Sequence, residues 1–591
     1  MKQMKSRKIL SLFIGCLFLK FLLFDLDWCL NTTFSSFSFP QTYFSKFLLA
    51  SLLAVPLTFI RTRWYCAIVA SLVDILLVVN LMYFRTYFTS IPWDSYFLAG
   101  NLADFGDSVL SSLRWSDLLF PLSTVLFFVL IRGQKLGDRL KENLSRSLKF
   151  LAVCIGAPAF VLGVIFAFYG GYKKAYEALL IDYQTCGTPI YTIPGSLYYE
   201  HIQDKTEYTP EIKKEIEDWL SKQPHRQELP YKIEARDNCI IILAESFESF
   251  VLEKKVVEGK EITPYLNRLL KEDNVLYAPY VQSQVKGARS IDGQLLLHTG
   301  LLPVNFGAYS ARFPHHTYYT IDKAFKEKHD GGVTRCFTVD KKVVWNVAIV
   351  AQDFGYDKLL DKPFFVLDEK TGPRKRLGDV SFLRQCGEKL LTEELFQTGG
   401  HTLVQCVTYS GHGPFIIPEK SKRVHFSERI PTLLKNYIEV ANYTDYAIGK
   451  FVEFLRSHPK FDSTMIVITG DHEGFGTSRS GLYADPVGKD IISPQRFTPF
   501  IVLNSPVSLR YEKVMGQIDM YPTLLDLIGA DDYPWRGLGR SILSPDKKGF
   551  AISSQMEIIG DTTGVSPAEL QHARDAWRVS DLMICCDYFA R

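Results

Sequence analysis

Two hydrophobic patterns divide the chain. From Ile9 to Leu26, and again near 45–61, 64–84, 115–132 and 149–171, apolar residues run almost unbroken. Each run has roughly the 17–25 residues that cross a bilayer. After about residue 236 the runs shorten. Cys239–Leu243, Val333–Thr338, Leu403–Thr408, Met465–Thr469 and Phe500–Leu503 read as strands, and 264–272, 291–298, 428–457 and 519–528 as helices. That alternation predicts an α/β domain with a mostly parallel sheet covered by helices. The predicted organisation is an α-helical membrane domain of five transmembrane helices at 1–171, a juxtamembrane linker at 172–235 and the α/β domain at 236–591.

Basic residues orient the spans. Lys2, Lys5, Arg7 and Lys8 precede the first, Arg61 and Arg63 lie between the second and third, and Arg132, Lys135, Arg139, Lys141, Arg146 and Lys149 crowd the loop before the fifth. The loops near 28–44 and 85–114 are poor in Lys and Arg. The positive-inside rule then puts the N-terminus in the cytoplasm and everything beyond about residue 172 outside. No small-residue cleavage site follows the first run, which reads as an uncleaved span. Lys20 and Asp74 interrupt spans that both enter from the cytoplasm, at similar depth, and are expected to pair, since an unpaired charge there is costly. The alternative is a snorkelling Lys20 beside a protonated Asp74. Segment 94–112 is too polar to span and reads as a surface-lying amphipathic helix or a capping loop. In the linker a helix is expected from Pro210, capped by Thr209, with the alternating charges of a solvated face.

Composition narrows the function. The formal net charge of the 591 residues is only +3, with no domain-wide basic surplus, which argues against a nucleic-acid partner. The eleven cysteines form no CxxC pair and no regular framework, so neither a zinc site nor a disulfide scaffold is read from them. The Asn-x-Ser/Thr matches at Asn31, Asn143 and Asn442 read as chance, His298 and Thr299 as packing, and the tail 575–590 as a closing strand pair.

Candidate chemistry sits where strands end. In a parallel α/β sheet the site lies beyond the strands' carboxyl ends. There Glu245 follows NCIIILA, Asp471 and His472 follow STMIVITG, and His412 follows LVQCVTYSG. Buried strands running into hard, hydrated side chains need a partner for them, and carboxylate oxygens with an imidazole nitrogen suit a divalent cation. A fourth element, VKGARSIDGQLLLHTG, is a Gly-rich turn entering an apolar helix with Ser290 near its start. Backbone N–H groups and the helix dipole favour an anion there. A serine is a poor nucleophile unless a cation stabilises its alkoxide. On local sequence alone Ser290 also fits a plain N-cap.

These motifs resemble the lipoteichoic acid synthase family of the alkaline phosphatase/sulfatase superfamily, over nearly the whole length. Glu245-Ser246-Phe247 is similar to that family's metal-binding E-S-F, Arg289-Ser290 to its basic residue and nucleophilic threonine, and Asp471-His472 to its metal pair. His412 in SGHGPF resembles its substrate-side histidine, Trp345-Asn346 its substrate-side Trp-Asn pair, and QIDMYPTLLDLIG its C-terminal helix entry. The resemblance implies an alkaline phosphatase/sulfatase-like fold and one divalent metal ion, manganese, magnesium or zinc, held by Glu245, Asp471, His472 and Ser290. It implies Ser290 and His412 as catalytic residues, and Trp345, Asn346, His412 and Arg289 as substrate-binding. The family arginine that follows the Trp-Asn pair and holds phosphate is Val347 here. Glu473 is an added carboxylate, either supporting the metal residues or solvated.

The implied reaction is transfer of a phospho-head-group, phosphoglycerol or phosphoethanolamine, from a membrane phospholipid donor to an envelope glycan, glycolipid or lipid acceptor through a phosphoserine intermediate, at a bacterial cell membrane. Alternatives are a phosphodiesterase, a sulfatase-type hydrolase, and an inactive membrane receptor or scaffold. Against a sulfatase, Ser290 is followed by Ile291, Asp292, Gly293 and Gln294, without the Pro/Ala and Arg of the Cys/Ser-x-Pro/Ala-x-Arg signature.

Overall fold

The computed structural model of the chain describes residues 6–31, 40–87, 113–132, 144–168, 170–171, 207–223, 229 and 231–591, the last range apart from 254, 287, 306–307, 343, 373–374, 394 and 397–399. Segment 94–112 and most of the linker lie outside the described residues. Two compact units are distinguished, Met1–Lys205 and Thr206–Arg591.

The N-terminal unit is helical: α1 (Ser6–Asn31), α2 (Pro40–Ala54), α3 (Arg63–Tyr87), α4 (Leu119–Ile131) and α5 (Leu144–Phe168). Among the described residues four stretches are long and apolar enough to cross a membrane: Arg7–Asp27, Gln41–Ile60, Arg63–Met82 and Leu144–Phe168. The fourth run of the sequence forms the shorter apolar helix Trp115–Ile131. Phe13, Leu17, Phe24, Ala50, Leu77 and Phe127 pack inward, whereas Leu72, Ile75, Leu122, Leu126 and Phe160 stay exposed. A helix apolar all round is at home in lipid. Lys20 and Asp74 do pair, Nζ to Oδ1 at 2.5 Å with both side chains buried, so Lys20 does not snorkel. The ammonium also donates to Phe120 O (2.8 Å), Ser123 Oγ (2.6 Å) and Thr124 Oγ1 (2.9 Å). A second buried pair, Lys46–Asp25 at 2.5 Å, joins α2 to α1.

In the C-terminal unit the sheet strands are β1 (Asn238–Ala244), β2 (Val275–Gln282), β3 (Val333–Thr338), β4 (Lys358–Leu360), β5 (Thr402–Val407), β6 (Thr464–Gly470), β7 (Phe497–Leu503), β8 (Leu509–Arg510) and β9 (Met515–Gly516). Their order is β8-β2-β7-β6-β1-β5-β3-β4, with β9 also on β2. All neighbours are parallel except β7, which runs antiparallel to β6 and β2. Every residue of β1 is buried, because both faces are covered. Cys239, Ile241 and Leu243 enter one core with Met465 and Val467, and Ile240, Ile242 and Ala244 enter the other with Ile466 and Ile468. Helix cover on both faces is why these strands read as unbroken apolar runs.

Three sequence expectations change here. The tail is no strand pair: Pro567–Cys585 is helix α9, capped by Ser566, with Glu569 closing a capping box. Pro210–Leu220 is helix α6, capped by Thr209 as expected. It is not solvated all round. Ile216 and Trp219 are buried, and Trp219 Nε1 donates to His572 O of α9 at 3.0 Å, so α6 belongs with the C-terminal unit. His298 is more than packing: its ring meets Asp322 (2.7 Å), Gln405 (2.5 Å) and Tyr356 (3.2 Å) in a closed, buried polar network. Asn442 is buried in helix α8 (Thr432–Arg456) and donates to Ile262 O. Cys16, Cys66, Cys154, Cys239, Cys336, Cys386, Cys406 and Cys586 are free thiols.

Candidate metal and nucleophile site

Parallel register assembles the site. Ala244 of β1 pairs with Gly470 of β6, and Leu243 with Val407 of β5. The residues that follow therefore emerge side by side at one edge, adjacent strands being about 4.8 Å apart. Glu245, Asp471 and His472 are all buried, and their ligand atoms lie within 4.8 Å of one another. His472 Nε2 is 3.4 Å from Glu245 Oε1 and 3.5 Å from Asp471 Oδ2. Two glycines permit the other segments to approach. A Cβ on Gly411 would lie 2.0 Å from Glu245 O, and one on Gly293 2.5 Å from Asp471 O. The loop bearing His412 and the helix α7 (Ser290–Thr299), which opens on Ser290, are thus pressed onto the strand ends.

Ser290 is the first residue of α7, not its cap. Its Oγ donates to Glu245 Oε2 at 3.2 Å and lies 3.2 Å from His472 Nε2. The turn before it is held instead by Asp292, whose Oδ2 accepts the N–H groups of Lys286 (3.0 Å) and Ala288 (3.1 Å). Arg289 carries φ 44°, a conformation that costs a non-glycine residue about 1–3 kcal/mol. Ser246, Trp345, Asn346 and Phe415, on segments that the sequence singled out, also have positive φ, as do other residues along the chain. A methyl at 293 is expected to push α7 off Asp471. Gly293→Ala should lower stability by about 1–3 kcal/mol and cut turnover along with it; unfolding and activity like those of the parent would show that the contact does not position Ser290.

The electrostatics fit a cation. Burial, opposed by hydrogen bonds and the Arg289 charge, pushes Glu245 up to about 7. Burial and then the Glu245 charge push Asp471 up to about 6. Asp471 Oδ1 accepts the N–H groups of Ser246 (2.7 Å) and His472 (2.8 Å), whereas Oδ2 is buried with no hydrogen bond. His472 is held low by burial and by Arg289. Its Nδ1 is 2.7 Å from Glu473 O, an acceptor, and 3.0 Å from Arg289 Nη2, a donor, while Nε2 faces the carboxylates. Two crowded carboxylates, an orphaned oxygen and a ring nitrogen gathered at one point are a donor set for a divalent metal.

Around this centre Glu473 is buried rather than solvated. Arg289 Nη1 binds its carboxylate at 3.0 Å, and Nη2 donates to its carbonyl. That ion pair, behind hydrogen bonding and burial, was invisible in the sequence, as were three other supports. Thr408 Oγ1 accepts the Glu245 N–H (3.1 Å), Gln517 Nε2 donates to Asp471 O (2.7 Å), and Glu248, paired with Arg479, accepts the Gly474 N–H (2.8 Å). An acidic residue in the first turn of α7 was a readable sign for Asp292; the others are long-range pairings with no local signal. His412 Nδ1 lies 2.8 Å from Gly413 O, with the ring stacked on Tyr409. Asn346 Nδ2 donates to Ser310 O at 3.0 Å, and Val347 is buried. The structure thus brings Ser290, Arg289, Glu245, Asp471 and His472 into direct contact. His412 joins through its loop, while Trp345 and Asn346 stand on a separate loop.

Residues 237–530 match the sulfatase family, and residues 1–175 match the lipoteichoic acid synthase N-terminal domain. The chain is 26% identical over 520 residues to the lipoteichoic acid synthase-like YvgJ of Bacillus subtilis, covering 83% of this chain and 80% of that protein. It is 25% identical over 500 residues to a lipoteichoic acid synthase of Staphylococcus saprophyticus, covering 82% and 76%. The crystal structure of the lipoteichoic acid synthase LtaP from Listeria monocytogenes shares the fold, with TM-score 0.52 and 20% identity over 63% of this chain and 98% of that one. With both matched domains present in order along one polypeptide, the chain is a membrane phosphotransferase that resembles the lipoteichoic acid synthases over most of its length.

Proposed function

We propose that the chain transfers a phospho-head-group, phosphoglycerol or phosphoethanolamine, from a membrane phospholipid to a hydroxyl of an envelope glycan or lipid through a covalent intermediate on Ser290. One observation carries this reading: the Ser290 hydroxyl lies 3.2 Å from both Glu245 Oε2 and His472 Nε2, within the only group of three metal-type donors among the described residues. Glu245, Asp471 and His472, with Ser290 Oγ, would hold one divalent ion. Such an ion, when bound, favours the serine alkoxide and polarises a phosphoryl oxygen.

The chain's own groups supply the rest. The contacts of His472 Nδ1 with Glu473 O and Arg289 Nη2 keep the Nε2 side of the ring turned toward Ser290. Ser290 Oγ bonds to phosphorus as the bond from phosphorus to the diacylglycerol oxygen breaks. The serine gives its proton to solvent, and a protonated His412 supplies one to the departing oxygen. In the second half His412 takes the acceptor's hydroxyl proton, that oxygen bonds to phosphorus as the bond from phosphorus to Ser290 Oγ breaks, and the serine oxygen takes a proton back from solvent. The positively charged edge of Arg289 faces the phosphoryl group, and Trp345 and Asn346 face the head group. The N-terminal spans tether the reaction to the bilayer, with the N-terminus cytoplasmic and the catalytic domain outside, which raises the effective concentration of a lipid donor.

Mass spectrometry of the purified full chain after incubation with manganese and mixed phospholipids tests the reading. A head-group phosphate added at Ser290, discharged by a hydroxyl acceptor, is the expected result. Free head-group phosphate as the sole product would make the enzyme a phosphodiesterase. No mass on Ser290 with any lipid would remove the transfer mechanism.

A further inference from the structure

The carboxyl ends of β3 and β4 carry a second group of charges, distinct from the metal-type donors. Asp340 follows β3, and its carbonyl accepts the backbone N–H of Lys362 beyond β4 at 2.9 Å. Lys341 is the next residue in the chain. From the hairpin Lys370–Thr371/Arg376–Leu377, Arg376 brings Nε to 2.9 Å from Asp340 Oδ1, with only 12% and 25% of the two side chains exposed. Neither atom counts as hydrogen-bonded; the contact is an ion pair by distance, with the Nε–H not aimed at that oxygen. Among the described residues no acceptor engages the Nη groups of Arg376, or Nζ of Lys341 or Lys362.

Arg376 thus pairs with the Asp340 carboxylate, Lys341 neighbours Asp340 in the chain, and Lys362 is tied to it through the backbone. Burial, Arg376 and Lys341 lower the pKa of Lys362, against the pull of Asp340. The hairpin is tied to the loop that bears His412: Thr371 Oγ1 lies 2.9 Å from Ser410 Oγ, and the Gly372 N–H donates to Ile416 O at 2.8 Å. The hairpin that carries Arg376 thus borders the His412 loop.

We propose that Arg376, flanked by Lys341 and Lys362, is a specificity-determining anion-binding residue of this enzyme, gripping a phosphate ester through its Nη edge while Asp340 braces Nε. A guanidinium presents two parallel donors to a phosphate. A rim of this sign repels a head group that ends in an ammonium, so the favoured ligands are phosphate esters of hydroxylated or anionic groups. The assignment rests on the transfer reading for the role of that ligand.

Titration calorimetry on the full chain carrying Ser290→Ala, in detergent with manganese present, tests it with glycerol phosphate and phosphoethanolamine as probes. Glycerol phosphate is expected to bind about tenfold more tightly than phosphoethanolamine. Adding Arg376→Ala should weaken glycerol phosphate by about the same factor and bring the ratio near one, with Arg376→Lys partly restoring it and the melting temperature unchanged. Equal binding of the two probes, binding of neither, or a ratio unmoved by Arg376→Ala overturns the proposal. Adduct formation on Ser290 of the unmodified enzyme reads the transfer mechanism separately. Equal labelling from both lipid classes would keep transfer and defeat this assignment; selective binding with no adduct would keep the subsite and defeat transfer.

Discussion

Ser290→Ala is expected to lower head-group transfer by about ten-thousand-fold or more, with no change in fold. The Oγ makes hydrogen-bond-range contacts to Glu245 and His472 and is the nucleophile of the proposed first step, so no other group inherits its task. The conservative Ser290→Thr keeps a hydroxyl at the start of α7 and should retain measurable transfer. Asp471→Asn should be nearly as damaging by a different route. It removes charge from the carboxylate whose Oδ2 accepts no hydrogen bond, so metal content should fall with activity, whereas Ser290→Ala should keep its metal. Metal analysis and single-turnover labelling on the same preparations separate the two. A Ser290→Ala protein that still transfers at a tenth of the parent rate, or an Asp471→Asn protein with full metal content, would sink the assignment of roles.

The strand ends were legible because β1 and β6 each run without interruption from core residues into a carboxylate. In a parallel sheet such ends must share an edge, so Glu245, Asp471 and His472 were readable as neighbours although more than two hundred positions separate them. Ser290 was readable as a helix start but not as a contact, since nothing in ARSIDG says which strand its helix covers. Strand β2 went unnoticed because Pro279 breaks its pattern. The partner strand β7 shifts register between Thr498 and Phe500, and an irregularity of that kind is where a sheet admits proline. The tail was misread because Leu582–Cys586 looks β-rich in isolation, although Ser566-Pro567-Ala568-Glu569 announces a helix. The Arg376–Asp340 and Arg289–Glu473 pairs were beyond reach, since charges distant in sequence meet only once the loops are placed.

In the N-terminal unit the largest expected effect concerns stability. Lys20 and Asp74 lie 2.5 Å apart among apolar side chains, and Thr124 bridges them by accepting from Lys20 and donating to Asp74. Removing one partner strands the other charge in a buried setting. Lys20→Met alone, or Asp74→Leu alone, should therefore cost about 3 kcal/mol or more. The double variant Lys20→Met/Asp74→Leu removes both charges and leaves neutral hydroxyls at Ser123 and Thr124, which can still bond to backbone within α4. It should regain most of that loss, since a buried ion pair exchanged for apolar residues of similar size is often close to neutral. Unfolding of the full chain in nanodiscs, followed by intrinsic fluorescence in the four members of the cycle, measures the coupling. Single variants as stable as the parent would mean that the pair carries no weight in the membrane. A double variant no better than the worse single would mean that Lys20 acts mainly through Phe120, Ser123 and Thr124 rather than through Asp74.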